Sequence, residues 1–194
     1  MSIRPSLEGQ HVRLRIPRVA DAEARFRLGY NPEIVEMFGV SRKDVRPITV
    51  EGAAGWVQKL IQHPHAWVIE AGGVLIGEIR LDRVDPQDRR ASMAIGIYDA
   101  ASLGRGFGTE AIMLLLDHAF GTMELHRIAI RVLAYNARAI RAYEKCGFIV
   151  EGREREAAFV NGHWHDDIMM GLLSREFISP HAPRVACGNT GEGE

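Results

Sequence analysis

Residues 98–120, YDAASLGRGFGTEAIMLLLDHAF, place three alternating glycines directly before an apolar helical pattern. The glycines are Gly104, Gly106 and Gly108, and Arg105 lies between the first two. The first turn of an α-helix has backbone N–H groups without intrahelical partners and carries partial positive charge. Glycines there let a large anion such as a pyrophosphate approach the main chain closely. The stretch therefore predicts an anion-binding helix start, with a flexible turn that binds no ligand as the alternative.

Length and composition favour one domain. The chain has 194 residues, and 46% of them are hydrophobic, which suffices for a sizeable core. We expect this domain to span residues 1–177, because residues 178–194 have the Pro, Gly and polar content typical of a flexible tail. The formal net charge of −1 at pH 7 gives no overall attraction to nucleic acid or to an acidic membrane, so neither is an expected partner.

Cysteine usage and hydropathy predict a cytoplasmic location. Cys146 and Cys187 are too few and too far apart for a disulfide framework, and the opening MSIRPSLEG lacks the apolar core of a signal peptide. No run of the sequence reaches the ~18 apolar residues that cross a bilayer. Cys146 has no histidine near it in sequence, so we interpret it as a small buried hydrophobe and not as a nucleophile.

Hydrophobic periodicity predicts a mixed order of strands and helices. The predicted elements are a strand at 11–16, two short helices divided at Asn31 and Pro32, a helix at 50–62, a hairpin at 66–84 turning at Gly72 and Gly73, a strand at 91–99, a helix at 106–120, a strand at 126–133, a helix from Asn136 to before Gly147, and a closing strand at 162–177.

The glycine turn also has a rival interpretation as a dinucleotide site. Gly106, Gly108 and Ala111 satisfy the G-x-G-x-x-A fingerprint. That fold requires an acidic residue about 20 residues further on and additional parallel strand–helix units. Here the next strand ends in RVLAYN and one further strand–helix unit follows, so the sequence disfavours an NAD-binding domain.

Two successive motifs resemble signatures of the GCN5-related N-acetyltransferase family. Residues 95–111, IGIYDAASLGRGFGTEA, are similar to the strand, turn and helix that bind the acetyl-CoA pyrophosphate in that family. Gly106 and Gly108 match its glycine positions, whereas Leu103 stands where the family has Gln or Arg, as is frequent in the branch of ribosomal-protein and spermidine acetyltransferases. Residues 125–148, LHRIAIRVLAYNARAIRAYEKCGF, resemble that branch's second signature.

The resemblance, which covers residues 7 to 177, implies an α/β (α+β) fold. Its sheet would be mixed, largely antiparallel, of about six to seven strands, flanked by helices and splayed between the fourth and fifth strands. It also implies acetyl-CoA as co-substrate and no metal. The implied acetyl-CoA contacts are Gly96, Ile97, Tyr98, Leu103, Gly104, Arg105, Gly106, Phe107, Gly108, Thr109 and Asn136. The first three match the splay, where family members have free backbone N–H groups beside the thioester for the pantetheine and the developing oxyanion.

The second motif contains a candidate general acid. Asn136 and Tyr143 are seven residues apart, or two helical turns of about 10.5 Å, so both side chains point along one face. Asn136 is a candidate for bonding the pantetheine arm, for capping the helix, or for both. Tyr143 is the candidate acid that protonates the leaving thiolate, and a packed core aromatic is the alternative.

The general base is less sharply defined by the sequence. Alkylamines are mostly protonated at pH 7 and need a proton acceptor. Glu78, in LIGEIRL, is the first candidate, with a solvated strand face as its alternative. Glu110 is interpreted as complementing the helix dipole. His126 is either a strand-edge residue or part of a proton path.

The segment HWHDD raises the question of a metal site. His163 and His165 project from one strand face with Asp167 beside them. The family resemblance instead places this segment in a late hairpin near the acceptor site, so we expect no metal there.

These observations predict an N-acetyltransferase that transfers acetyl directly to a primary amine in a ternary complex. The sequence does not distinguish among a protein N-terminus, a polyamine and another small amine as the acceptor. It is also compatible with a homodimer. The alternative is a non-catalytic acyl-CoA-binding or sensing module. The presence of both Tyr143 and Asn136 argues against that alternative.

Overall fold

One eight-stranded sheet runs through the described part of the chain, residues 4–179 of a computed structural model. Its strands are β1 (Leu7–Glu8), β2 (Val12–Arg15), β3 (Ala66–Ala71), β4 (Val74–Asp85), β5 (Arg90–Ile97), β6 (Arg127–Leu133), β7 (Ile149–Val160) and β8 (His163–Leu173). They lie in the order β1-β2-β3-β4-β5-β6-β8-β7, and β5 and β6 are parallel while the other neighbours are antiparallel. The predicted mixed, largely antiparallel sheet is confirmed.

The predicted number of six to seven strands is too low, for two local reasons. β1 has two residues, which is too short to show periodicity. β7 lies at the edge of the sheet and reads IVEGREREAAFV, mostly exposed along its length. Charged residues on an edge strand oppose pairing with another chain, and they also hide the strand from a search for alternating apolar residues.

Five helices flank the sheet: α1 (Asp21–Leu28), α2 (Pro32–Glu36), α3 (Val50–Gln62), α4 (Phe107–Asp117) and α5 (Ala137–Lys145). The bounds of α3 are those predicted, because the Thr49 side chain accepts a hydrogen bond from the Gly52 N–H and caps the helix start. The Asn31 side chain caps α2 in the same way. α4 ends earlier than predicted, at Asp117, and a turn of π-helix follows at residues 118–122.

The helices cover both faces of the sheet. On β3, Trp67 and Ile69 belong to the main apolar core with α4, whereas Val68 belongs to a smaller cluster with Leu60 of α3. Successive side chains of a strand point to opposite faces, so these two clusters lie on the two sides of the sheet. The main core continues through Leu115 of α4, which is fully buried.

The parallel pair β5 and β6 separates soon after it begins. Their ladder consists of three residue pairs, from Arg90 with Arg127 to Ser92 with Ala129, whereas β5 continues to Ile97. The splay expected from the family resemblance is therefore present. It lies between the fifth and sixth strands because the short β1 adds one strand before it.

The described residues do not reach the ends of the chain. The predicted tail from residue 180 onward and Cys187 lie outside them, and the division at residues 177 and 178 stays a prediction. Across residues 4–179, no helix is long and apolar enough to cross a membrane.

A buried ion-pair network joins the start of α1 to the sheet. Both terminal nitrogens of Arg15 donate to the Asp21 carboxylate, at 2.9 and 2.7 Å, and Nε donates to Glu70 at 2.9 Å. The Asp21 carboxylate also accepts the Arg18 N–H at 2.7 Å. The Arg15 and Asp21 side chains are only 9% and 7% exposed, so both charges depend on these partners.

Replacing Asp21 by Ala should lower the free energy of unfolding by about 3 kcal/mol, because it leaves a buried guanidinium with one carboxylate instead of two. Urea denaturation measures this loss. Glu23→Ala is the matched control on the same helix: Glu23 pairs with Arg27 while their side chains are 71% and 73% exposed, and we expect about 0.5 kcal/mol or less. Equal losses in the two variants would contradict the importance given to burial.

Candidate active site

A cleft of about 570 Å³ opens where β5 and β6 have separated. Its walls are α2, the end of β5, the turn before α4, the start of α4 and α5. The sequence-predicted residues that line it are Ile97, Leu103, Gly104, Gly106, Phe107, Gly108, Thr109, Asn136 and Tyr143. The predicted residues outside this lining are Gly96, Tyr98, Arg105 and Glu78. The structure therefore brings both sequence motifs to one cleft.

Two of the three glycines in the turn are required by the backbone. Gly104 and Gly106 have φ angles of 75° and 86°, a region that residues with a side chain rarely adopt. A Cβ on either would meet no atom within 4 Å, so the space above the turn is open. A Cβ on Gly108 would lie 3.8 Å from Ile97 Cγ1, which is an ordinary contact. The first N–H groups of α4 are thus at an open cleft wall, where an anion can reach them.

The cations of the cleft differ from the one predicted. The Arg105 guanidinium lies 4.8 Å from the centre of the Phe107 ring, outside the cleft lining. Arg138, Arg141 and Lys145 of α5 line the cleft instead, and sequence reasoning missed them. Their spacing of three and four residues places them on one helical face, which is the signal that would have found them.

Tyr143 is buried at the cleft wall. Its residue is 6% exposed, and its ring packs edge-on against Phe148 at 6.0 Å between centres. Burial raises the pKa of Tyr143, and the nearby Cys146 raises it further. A phenol is protonated at neutral pH even at its ordinary pKa, so Tyr143 has a proton to donate to a ligand, and the raised pKa makes it a weaker acid.

Asn136 caps α5 and also joins it to α2. Its Oδ1 accepts the Ala139 N–H at 3.1 Å, and its Nδ2 donates to the Met37 carbonyl at 3.4 Å. The capping interpretation is confirmed. The contact with Met37 is set by a residue 99 positions away, so no local pattern predicts it.

The end of β5 approaches β4 closely. A Cβ on Gly77 would lie 2.0 Å from the Gly96 carbonyl oxygen, so glycine is required by proximity there. The Tyr98 N–H donates to the Ile76 carbonyl at 2.8 Å, so it is not one of the free donors expected from the family resemblance. Because bonded positions alternate along an antiparallel pair, the N–H of Ile97 points away from β4, toward the gap.

Glu78 lies on β4 behind the end of β5, 7% exposed, so the alternative of a solvated strand face is wrong. Its Oε1 accepts hydrogen bonds from Arg80 Nη1 at 2.7 Å and from the Tyr98 hydroxyl at 3.0 Å. Its Oε2 is buried and has no hydrogen-bond partner among the described residues. Burial raises the pKa of Glu78 above its ordinary value, against the opposing effects of Arg80 and Tyr98.

The guanidinium of Arg25 lies in a cage of three aromatic rings near the Glu78 carboxylate. Sequence reasoning missed this cage. Arg25 of α1 is 2% exposed, and its guanidinium carbon lies 4.6 Å from the Tyr98 ring centre, 4.9 Å from that of Tyr30 and 5.6 Å from that of Trp56. Aromatic faces stabilise a cation in such positions. These four residues come from three separate segments, so the cage depends on the tertiary fold.

Two other acid–base candidates have structural positions. The Glu110 carboxylate accepts the N–H groups of His11 at 2.8 Å and Val12 at 3.2 Å, so it fixes the turn between β1 and β2 in addition to any effect on the helix dipole. His126 lies beside Arg89, at the end of the sheet where β5 and β6 are still paired. This position favours the interpretation as a strand-edge residue, because His126 is not part of the cleft lining, and the proton path stays a prediction.

The HWHDD segment has packing and ion-pair partners. His165 packs edge-on against Tyr135 at 4.8 Å, and Asp167, 2% exposed, lies 3.3 Å from Arg131. Within residues 4–179, no group of three or more His, Cys, Asp and Glu side chains is arranged to hold a metal ion.

Cys146 is buried, as predicted. Its Sγ donates to the Thr109 carbonyl in the first turn of α4, at 3.7 Å. Burial raises the pKa of its thiol to about 12, which opposes formation of a nucleophilic thiolate at neutral pH. The residue joins α5 to α4 through packing.

Known proteins resemble this chain over most of its length. A family model described as an acetyltransferase (GNAT) domain matches residues 11–149. A protein of Bacillus subtilis (strain 168) named probable N-acetyltransferase YjcK is 30% identical over 176 residues, which cover 87% of this chain and 97% of that protein.

Two further likenesses concern spermidine acetyltransferases. Spermidine N(1)-acetyltransferase of Escherichia coli (strain K12) is 30% identical over 120 residues, which cover 62% of this chain and 64% of that protein. A crystal structure of spermidine N-acetyltransferase from Vibrio cholerae in complex with CoA and spermine has a TM-score of 0.73 and 26% identity, covering 87% of this chain and 98% of that one. With its two motifs, its splayed sheet and these matches, the chain belongs to the GCN5-related N-acetyltransferase family and is an acyltransferase enzyme.

Proposed function

We propose that this enzyme transfers the acetyl group of acetyl-CoA directly to a primary amine, with both substrates bound together at the separated ends of β5 and β6. One observation carries the proposal: the open glycine turn at the start of α4 and the buried phenol of Tyr143 line the same cleft. The first is suited to a pyrophosphate and the second to a leaving thiolate.

The residues present fit acetyl-CoA. The turn at Gly104 and Gly106 leaves open space above main-chain N–H groups, and Arg138, Arg141 and Lys145 add positive charge to the same cleft. Phosphate groups are recognised by this combination of helix-start amides and nearby cations. The N–H of Ile97 is the main-chain donor at the gap for the pantetheine or the oxyanion.

The chemistry divides between Tyr143 and Glu78. The amine nitrogen attacks the thioester carbonyl carbon, and the carbon–sulfur bond breaks as the tetrahedral oxyanion collapses. Tyr143 donates its proton to the departing sulfur, and the phenolate is then reprotonated from solvent. Glu78 accepts the proton that the amine loses, relayed through one water to the unpartnered Oε2, because this oxygen is buried and Glu78 lies outside the cleft lining. A raised pKa suits this role, because it brings a carboxylate closer to the basicity that an amine proton requires.

The acceptor is a small amine or a protein N-terminus. The relatives from Escherichia coli and Vibrio cholerae are named for spermidine, which supports a small amine with a primary amino group. The buried cation of Arg25 beside Glu78 reduces the attraction for a substrate with several positive charges. A protein N-terminus, which carries a single amino group, is therefore kept as a second candidate acceptor.

Gly108→Val should weaken acetyl-CoA binding about tenfold or more, measured by calorimetry, because its branched side chain intrudes where the pyrophosphate meets α4. Gly108→Ala is the control. It adds a Cβ that makes only an ordinary contact with Ile97, so its affinity should stay near the parent value. If a folded Gly108→Val protein bound acetyl-CoA with the parental affinity, the glycine turn would not be the binding site of the pyrophosphate.

Thiol release from acetyl-CoA, measured across a panel of spermidine, other small amines and peptides with free N-termini, tests the proposed activity. Tyr143→Phe should keep acetyl-CoA affinity, since the ring still packs against Phe148, while turnover falls by about 10²- to 10⁴-fold. Parental turnover in Tyr143→Phe would leave water as the proton donor. Binding of acetyl-CoA without thiol release for any amine would favour a non-catalytic acyl-CoA-binding module.

Glu78→Gln should flatten the acidic limb of the pH–rate profile. Because burial raises the pKa of Glu78, that limb should lie above the ordinary carboxyl range, with the rate falling as pH drops and the carboxylate takes up a proton. The variant should lose less activity at high pH, where the amine loses its proton unaided. An unchanged pH–rate profile in Glu78→Gln would show that another group accepts the amine proton.

A further inference from the structure

A continuous row of polar side chains runs along one face of β4, from the buried Glu78 toward solvent. Residues 78, 80 and 82 alternate along the strand and therefore share a face. Arg80 donates through Nη1 to Glu78 Oε1 at 2.7 Å and through Nε to both Asp82 oxygens at 3.1 Å. His63, at the end of α3, reaches Asp82 Oδ1 through Nε2 at 3.1 Å.

At the solvent end of this row, a main-chain hydrogen bond orients the His63 ring. The His65 N–H donates to His63 Nδ1 at 3.1 Å, so Nδ1 is the acceptor and the ring hydrogen lies on Nε2, facing Asp82. Asp82 thus accepts from His63 on one side and from Arg80 on the other. The plane of its carboxylate is held by contacts from both sides.

The inner end leaves one oxygen of Glu78 without a partner. Oε1 takes both the Arg80 and the Tyr98 hydrogen bonds, while Oε2 is buried and makes none with the described residues. A buried carboxylate oxygen without a donor is costly, and such an atom commonly faces a ligand or an ordered water. Because Oε1 accepts both hydrogen bonds, Oε2 is the oxygen that remains to take up a proton from the acceptor amine.

We propose that Arg80 and Asp82 are positioning residues for acetyl transfer: Arg80 holds Glu78 with Oε2 free, and Asp82 aims Arg80 and offsets part of its charge. The inference rests on the proposed function, in which Glu78 accepts the amine proton. It assigns the two residues opposite effects on that proton acceptor, although they lie in one row.

The opposite signs follow from the charges around Glu78. The groups that face it are Arg25 from α1, Arg80 and Asp82 from its own strand, and Tyr98 after β5. Arg80 stabilises the carboxylate and lowers its pKa against the effect of burial, whereas Asp82 raises it. Without Arg80, burial would keep the carboxyl protonated to higher pH. Without Asp82, the full charge of Arg80 would hold the carboxylate as a weaker base.

The experiment follows the protonation of Glu78 directly and through turnover. Carboxyl carbon NMR of the ¹³C-labelled full chain, with Glu78→Gln identifying the signal, gives the titration midpoint. The acidic limb of kcat/KM gives it kinetically. Arg80→Met should move both midpoints upward and Asp82→Asn should move both downward, each by about one unit. Arg80→Lys keeps the charge, so its midpoint should stay closer to the parent value than that of Arg80→Met.

Matched controls separate this effect from a general loss of charge or of fold. Arg13 and Glu8 form an ion pair between β2 and β1 with side chains 44% and 64% exposed, and Arg13→Met and Glu8→Gln should leave both midpoints unchanged. Thermal unfolding and acetyl-CoA affinity show that each variant is folded. If Arg80→Met does not fold, Arg80→Gln replaces it as the variant that removes the charge and should also move the midpoints upward, while Asp82→Asn tests the opposite sign.

The outcomes distinguish the two levels of the proposal. If Glu78→Gln flattens the acidic limb but Arg80→Met and Asp82→Asn shift the midpoints in the same direction or not at all, the positioning roles are wrong and the base assignment stands. If Glu78→Gln leaves the profile unchanged, the base assignment is wrong and the positioning roles are wrong with it.

Discussion

The separation of β5 from β6 is the constraint on which the site depends. After three ladder pairs the two parallel strands part, and the last five residues of β5 have one edge without a strand beside it. Backbone groups on such an edge need other hydrogen-bond partners, which a substrate with amide groups can supply. α4 follows β5 and α5 follows β6, so the gap between the strands also sets the starts of both helices around one opening.

The base role proposed for Glu78 depends on how the protein holds a buried carboxylate. A carboxylate moved from water into the interior is strongly disfavoured unless cations or hydrogen-bond donors compensate it. At Glu78 the compensation is concentrated on Oε1, through Arg80 and Tyr98. The same contacts that compensate the charge leave Oε2 without a hydrogen-bond partner among the described residues, which is the arrangement that the proposed base role requires.

Charge at the site is local and is not visible in the composition. The chain has a formal net charge of −1, yet Arg138, Arg141 and Lys145 bring three positive side chains to the cleft where an anion is expected. Arg25 is a further buried cation, but it lies among aromatic rings near Glu78 and outside the lining of that cleft. Overall net charge governs general association, whereas binding of one anion depends on charges within a few ångströms.

The sequence by itself determined the features that residues close in sequence control. The bounds of α3, the hairpin turn at Gly72 and Gly73, the glycine turn before α4 and the cap at Asn136 were all predictable, because periodicity, capping and left-handed backbone angles act within a few residues. Together with the two motifs, they were enough to indicate the family and nine of the twenty residues that line the cleft.

Only the tertiary structure decided which distant groups meet. The Tyr98 N–H is occupied because one further main-chain hydrogen bond, to the Ile76 carbonyl, follows the last pair of the β4–β5 ladder. His126 lies at the end of the sheet where β5 and β6 are paired, away from the cleft. Glu110 anchors a turn about a hundred positions before it. Strand order and register set these contacts, and neither is encoded in the local pattern of a strand, since the same alternation is compatible with many partners.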